Sequence, residues 1–164
     1  MKNTAFVPHK ILTQHQLQSF ISAARVTGKT IAFTNGCYDI LHEGHIFSLS
    51  QAAAEADILI VGVNSDASVK KLKGENRPVN NQHSRSLVLA SLLITDAIII
   101  FDDDTPINLI NLVKPDVLVK GGDYTIEQIV GAKEVIEYGG KVIINPILAD
   151  FSTSAIIDKI RSLK

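Results

Sequence analysis

The sequence predicts an α/β fold, a doubly wound parallel sheet of five strands with a helix ahead of it. Three observations carry this. Five short apolar runs rich in β-branched residues recur along the 164 residues. They lack apolar–polar alternation, the mark of strands covered on both faces. Helical periodicity separates the runs, and strand–helix alternation at this spacing implies right-handed crossovers with helices on both faces.

The elements follow in chain order. Thr13 and Gln16 have the spacing of a capping box, and Leu17, Phe20, Ile21 and Ala24 then recur at helical intervals. Gly28 is placed to stop that helix. Residues 1–28 are therefore expected to form an N-terminal helical extension and residues 29–164 the main domain. Strands are expected over residues 30–34, 58–63, 97–101, 117–119 and 142–144, and helices over 45–55, 84–93, 106–113, 126–138 and 154–163. Thr105 before Pro106 reads as a cap followed by a first-turn proline. Such sheets bind ligands beyond the C-terminal ends of their strands, where strand order reverses. The loops after the first, second, fourth and fifth strands are the places to look.

Composition narrows the function. Hydrophobic residues make up 46% and charged residues 20%, as in a soluble globular domain. A net charge of −1 gives no global field favouring nucleic acid or an anionic membrane. Cys37 is alone, so no intramolecular disulfide forms, which agrees with a reducing compartment. Residues 1–10 lack the apolar core of a signal peptide, and no apolar run approaches the roughly 20 residues that span a bilayer. A cytoplasmic protein without nucleic-acid or membrane partners is expected.

The first strand runs into Thr34-Asn35-Gly36-Cys37-Tyr38-Asp39-Ile40-Leu41-His42-Glu43-Gly44-His45. Gly36 permits a sharp turn or a close approach to a ligand. Gly44 stands where a helix begins, and free N–H groups with the helix dipole make an anion site there. His42 and His45, three residues apart, can address one bound group. Imidazole donors beside a phosphate would stabilise charge developing during phosphoryl-type transfer. The pair could also be metal ligands, but zinc usually takes three or four protein ligands and no third stands nearby. Plain helix-cap histidines are the other alternative.

Three further stretches sit at strand ends. Asn64-Ser65-Asp66 offers turn-forming oxygens and leads into Lys70, Lys71 and Lys73, which read as a mobile basic arm: either a solvated loop or a phosphate contact. Arg85 follows at the start of a helix. Lys120-Gly121-Gly122-Asp123-Tyr124 ends the fourth strand, and its paired glycines suit a pocket wall or a simple turn. Ser152-Thr153-Ser154 opens the last helix, where one hydroxyl is enough for a cap and three could hold a phosphate.

The stretch from Gly36 to His45, ending His42-Glu43-Gly44-His45, resembles the HxGH signature of the cytidylyltransferase-like nucleotidyltransferases, which have a Rossmann-like fold. Lys73-Gly74-x-x-Arg77-Pro78-Val79 and Lys120-Gly121-Gly122-Asp123-Tyr124 resemble the branch that adenylylates D-glycero-β-D-manno-heptose 1-phosphate. Pro146-Ile147-Leu148 lacks the arginine of the cytidylyltransferase pattern. The resemblance implies transfer of AMP from ATP to the sugar phosphate, with Mg²⁺ carried mainly by the triphosphate. His42, His45 and Lys73 would be catalytic. Asn35, Gly36, Cys37, Tyr38, Asp39, Gly44, Ser152, Thr153 and Ser154 would bind nucleotide. Asn64, Asp66, Lys71, Arg85, Lys120, Gly121, Gly122 and Asp123 would bind the acceptor. Arg85 stands equally well as a surface helix arginine, and the roles of Lys120 and Asp123 stay undivided. Resembling enzymes often form homodimers and are often fused to a sugar kinase, for which this chain has no room, so a free-standing form is expected. A cytidylyltransferase for glycerol 3-phosphate and a non-catalytic nucleotide-binding module are the alternatives.

Overall fold

The computed structural model describes residues 4–122, 124–146, 148 and 151–163. Among these residues six strands form one parallel sheet: β1 (Ile11–Leu12), β2 (Ile31–Gly36), β3 (Ile58–Asn64), β4 (Ala97–Phe101), β5 (Val117–Gly121) and β6 (Lys141–Asn145). Their order is β1-β4-β3-β2-β5-β6, so the chain winds outward one way from β2 to β4 and then the other way through β5 and β6. The reversal falls between β2 and β5, which fixes where a ligand cleft opens.

The sixth strand corrects the expected five. Ile11–Leu12 is two residues long, bonded at the edge to Ile98 and Ile99, too brief to register as an apolar run. Lys10 holds it in place by donating from Nζ to the carbonyls of Leu92 and Thr95, at 3.0 and 2.7 Å.

Helices cover both faces. On one face α1 (Gln14–Val26), α5 (Ile107–Val113) and α6 (Ala132–Glu137) pack Leu17, Ile110 and Val135 against Ile31, Phe33, Ile60 and Leu118. On the other face α2 (Glu43–Ala53) and α4 (Gln82–Ala90) pack Leu49 and Leu89 against Ala32, Leu59, Val61 and Val119. Successive strand residues alternate between these two cores, so both sides of each central strand are apolar. The Thr13–Gln16 capping box forms, and α1 stops before Gly28, whose φ is +71°.

Three local expectations change. Lys70, Lys71 and Lys73, read as a mobile arm, lie on helix α3 (Asp66–Lys73), capped by Ser65, whose Oγ accepts from the Ser68 N–H. Val69, its one buried apolar residue, anchors it, too little apolar surface to reveal a helix among lysines. The helix expected over 126–138 is divided: Ile126–Gln128 is a 3₁₀ turn, and α6 starts after Gly131, whose φ of +86° breaks helical geometry. A Cβ on Gly131 would lie 2.5 Å from Ile110 Cδ1, so the close approach needs glycine there. Pro106, not Thr105, occupies the cap of α5, with no side-chain cap bond. The last helix, α7 (Thr153–Ser162), buries no residue fully.

Candidate functional site

A cavity of about 430 Å³ opens at the C-terminal ends of β2 and β5. The loop after β2 supplies Cys37, Tyr38 and His42, α2 supplies Gly44, His45 and Ser48, and α3 contributes Lys73 from its C-terminal end. Ser152, Thr153 and Ser154 at the start of α7 close the opposite wall, with Phe151 beside them. Ser152 caps α7 by accepting from the Ala155 N–H, and Thr153 Oγ1 reaches the Ile40 carbonyl at 3.5 Å.

The two histidines form a stack. His42 is the N-cap residue of α2, and its ring lies 3.8 Å from that of His45, centroid to centroid, with planes 26° apart. The buried Tyr38 ring meets His45 edge-on at 5.3 Å. Tyr38 adopts a left-handed backbone with φ +49°, and Gly36 leaves room for its ring, since a Cβ there would lie 3.1 Å from Tyr38 Cε2. Both His42 Nδ1 and His45 Nδ1 are buried without a hydrogen-bond partner among the described residues. Such atoms are costly in a finished core and normal in a site awaiting a ligand. Burial lowers the pKa of His42. Burial, then the neighbouring His42, lowers that of His45 to about 4, with the Ile40 backbone acting the other way. His45 is therefore neutral at pH 7. Gly44 lets the helix approach closely: a Cβ would meet Phe151 Cβ at 3.0 Å and His42 Cε1 at 3.2 Å.

A smaller cavity of about 230 Å³ shares Cys37, Tyr38, His45, Ser48 and Gly121 with the first. Asn35 and Lys120 line it, joined by a bond from Lys120 Nζ to Asn35 Oδ1 at 2.5 Å. No carboxylate partner of Lys120 occurs among the described residues, and burial lowers its pKa to about 8, with Cys37 opposing. Gly121 packs on Ser48, whose Oγ would lie 3.0 Å from a Cβ, and the Gly122 N–H donates to the Asn145 carbonyl at 3.1 Å. Burial raises the Cys37 pKa against the pull of Lys73, Arg85 and Arg77.

Other expected site residues have different surroundings. Asp39 is 2% exposed, and its carboxylate accepts from Arg77 Nε, the Val79 N–H and the Asn80 N–H at 2.5, 2.7 and 2.9 Å. Burial would raise its pKa, but these two backbone N–H groups and Arg77 outweigh it and lower the pKa below the ordinary value. Three of its acceptor sites are used inside the protein, so it latches the loop after β2 to residues 77–80. Arg85 is 2% exposed, neither a surface arginine nor part of the cavity wall. Its donors go to the Cys37, Asn64 and Asn80 carbonyls and to Asp66. Asn64 is buried and donates to Ser68 Oγ at 3.0 Å. Lys71 points to Asp104, 3.0 Å away, and does not line the cavity. Asp123 lies outside the described residues.

Sequence reasoning left out Ser48, Pro146 and Phe151 as wall residues and quoted Arg77 only within a motif. Ser48 falls one turn beyond His45 on α2, a spacing from which it could have been found. Pro146 and Phe151 carry no sequence signal of their own.

Comparison with known proteins agrees with this geometry. The profile of the cytidylyltransferase-like family matches residues 33–159. The chain is 53% identical over 152 residues to the bifunctional protein HldE of Pseudomonas fluorescens, and 49% identical over 153 residues to that of Caulobacter vibrioides. Each match covers 93% of this chain and 32% of the relative, so the chain spans about a third of the length of the curated relatives it matches. A lipopolysaccharide core biosynthesis protein from Thermoplasma volcanium superposes with a TM-score of 0.59 at 27% identity, covering 74% of this chain and 98% of that one. Pantoate-beta-alanine ligase from Francisella tularensis superposes with a TM-score of 0.62 over 93% of this chain and 77% of its own, at 18% identity, a likeness of fold alone. A parallel sheet reversing at β2 and β5, a stacked HxGH pair at the reversal and the matching profile give one conclusion: the chain belongs to the cytidylyltransferase-like nucleotidyltransferase family.

Proposed function

We propose that the protein transfers AMP from ATP to D-glycero-β-D-manno-heptose 1-phosphate, giving ADP-heptose and pyrophosphate. One observation carries the reading: two stacked imidazoles, whose buried Nδ1 atoms have no partner among the described residues, share a single cavity with Lys73. The HldE relatives and the Lys120-Gly121-Gly122-Asp123-Tyr124 string support the choice of acceptor.

The chemistry is direct in-line transfer. An oxygen of the sugar phosphate forms a bond to the α-phosphorus as the bond to the β-phosphate oxygen breaks, and pyrophosphate leaves. The acceptor is already anionic, so no enzyme nucleophile or general base is needed, and Cys37 takes no covalent part. The protein positions two mutually repelling anions and neutralises the charge that develops. In this reading His42, His45, Lys73 and the N–H groups at the start of α2 cradle the triphosphate. Ser152, Thr153 and Ser154 border the nucleotide. Asn35 orients Lys120 toward the acceptor, and Gly121 and Gly122 shape its wall.

Asp39, the one carboxylate lining the larger cavity among the described residues, is engaged by Arg77, Val79 and Asn80. The cavity residues therefore suit Mg²⁺ arriving on the triphosphate, where it would screen the β- and γ-phosphates of the leaving group. No helix among the described residues is long and apolar enough to cross a membrane. A cytoplasmic homodimer drawing on the ATP pool completes the reading, and sedimentation velocity tests its stoichiometry.

Pyrophosphate release tests the reaction, with ATP and CTP each offered with heptose 1-phosphate and with glycerol 3-phosphate. Turnover with ATP and heptose 1-phosphate alone is expected. Turnover with CTP and glycerol 3-phosphate would replace this reading by a cytidylyltransferase. Nucleotide binding without turnover in any pair would replace it by a binding module.

A further inference from the structure

Arg85 donates to four partners on three segments of the chain. Nη1 bonds the Cys37 carbonyl, Nη2 bonds the Asn64 carbonyl at 2.7 Å and Asp66 Oδ1 at 2.8 Å, and Nε bonds the Asn80 carbonyl at 3.0 Å. Each partner borders a catalytic element. Cys37 leads into the loop that carries His42. Asn64 and Asp66 flank Ser65, the cap of α3, and Lys73 is the last residue of that helix. Asn80 extends the network, since its N–H bonds Asp39 Oδ1 and its Nδ2 bonds the Asp39 carbonyl at 2.7 Å. Asp39, Asn80, Arg85 and Asp66 thus form a continuous hydrogen-bonded chain, buried at Asp39 and Arg85, that joins the histidine loop to the lysine helix without lining the wall between them, Asp39 apart.

We propose that Arg85 is a positioning residue, which sets the separation of the His42–His45 stack and Lys73 by clamping the Cys37 and Asn80 carbonyls to the capped start of α3. The proposal rests on the nucleotidyl-transfer reading above. Arginine suits the task because its planar fork directs donors in several fixed directions at once. Lysine offers a single ammonium and cannot span the same carbonyls. Displacements of about 1 Å at such a site cost on the order of 10²-fold in rate.

The test is a double-mutant cycle between Arg85→Lys and Lys73→Ala, read by single-turnover rate and by ATP Kd, with melting curves fixing the folded fraction. Arg85→Lys is expected to lower the rate per folded molecule about 10- to 100-fold, with ATP Kd changing less than about threefold. In the Lys73→Ala background the same change is expected to cost less than about threefold, because the residue being positioned is gone. A merely structural role would lower the melting temperature and leave the rate per folded molecule unchanged. That result, or an equal rate loss in both backgrounds, overturns the proposal. Asp66→Ala removes one of the four acceptors at a half-exposed position and serves if Arg85→Lys does not fold. It is expected to show a smaller rate loss with the same non-additivity, and an additive loss again overturns the proposal. Absence of turnover by the unaltered protein with every nucleotide and acceptor refutes the functional reading instead, a distinct outcome.

Discussion

Replacing Asp39 by alanine tests whether this residue is a latch or a nucleotide contact. The substitution removes a buried carboxylate that accepts from Arg77, Val79 and Asn80. Breaking a buried ion pair by deleting one partner costs about 3–5 kcal/mol. The side chain of Arg77 is 16% exposed and can partly recover water, so the lower end, about 3 kcal/mol, applies. Against a typical total of about 5–15 kcal/mol, that is a large share. For a chain of this length it corresponds to a fall in Tm of roughly 6–12 °C. Asp39→Asn keeps the shape and one acceptor and is expected to lose less. The acid dependence has a fixed sign. Asp39 titrates below its ordinary value, so its contribution is present above the unfolded carboxyl pKa and is lost as pH falls through the folded one. The gap between unaltered protein and Asp39→Asn therefore closes toward low pH. Thermal and urea melts across pH 3–7 with ATP titration of each variant, roughly spanning the carboxyl range, measure both properties. An unchanged Tm together with ATP affinity weakened more than about tenfold would refute the latch and make Asp39 a ligand.

His45→Ala is expected to cut turnover by about 10²–10³-fold while the protein stays folded, as removal of an oxyanion-type donor does. Unchanged turnover would remove His45 from the chemistry. Lys120, with its pKa lowered to about 8, is charged below that value and neutral above it. Acceptor kcat/KM should then fall roughly tenfold per pH unit above the pKa, and Lys120→Met should abolish that limb. A pH profile unaltered by Lys120→Met would refute the assignment. Lys71→Ala, which removes an exposed pair with Asp104, should leave turnover unchanged, whereas Lys73→Ala should depress it. The reverse pattern in a pyrophosphate-release assay would exchange the two lysines.

Much of this site was legible because its residues stand next to one another in the chain. His42 and His45 are separated by three positions at a helix start, and such spacing fixes their proximity without tertiary information. The five longer strands were legible for a similar reason, since strands covered on both faces read as apolar runs. Ile11–Leu12 was not, because its pairing with β4 is decided by the partner strand and by Lys10 reaching Leu92 and Thr95. The division of labour among polar residues was hidden for the same cause. Asp39 and Arg77 lie 38 positions apart, and Arg85 and Cys37 lie 48 apart, so only the fold shows that these groups bond each other. Lys71 and Lys73 are chemically identical in sequence. The helix of Asp66–Lys73 separates them by directing Lys71 to Asp104 and Lys73 to the cavity.

The central claim is that His42 and His45 receive the polyphosphate together. Long-range ¹H–¹⁵N spectra of the histidine side chains at pH 7, recorded while a non-hydrolysable ATP analogue is added, test it directly. The ring nitrogens of His42 and His45 are expected to shift, with His45 gaining proton occupancy beside the new negative charge, while the exposed His9, His15 and His83 stay in place. Saturable binding of the analogue with the His42 and His45 signals unmoved would contradict the account.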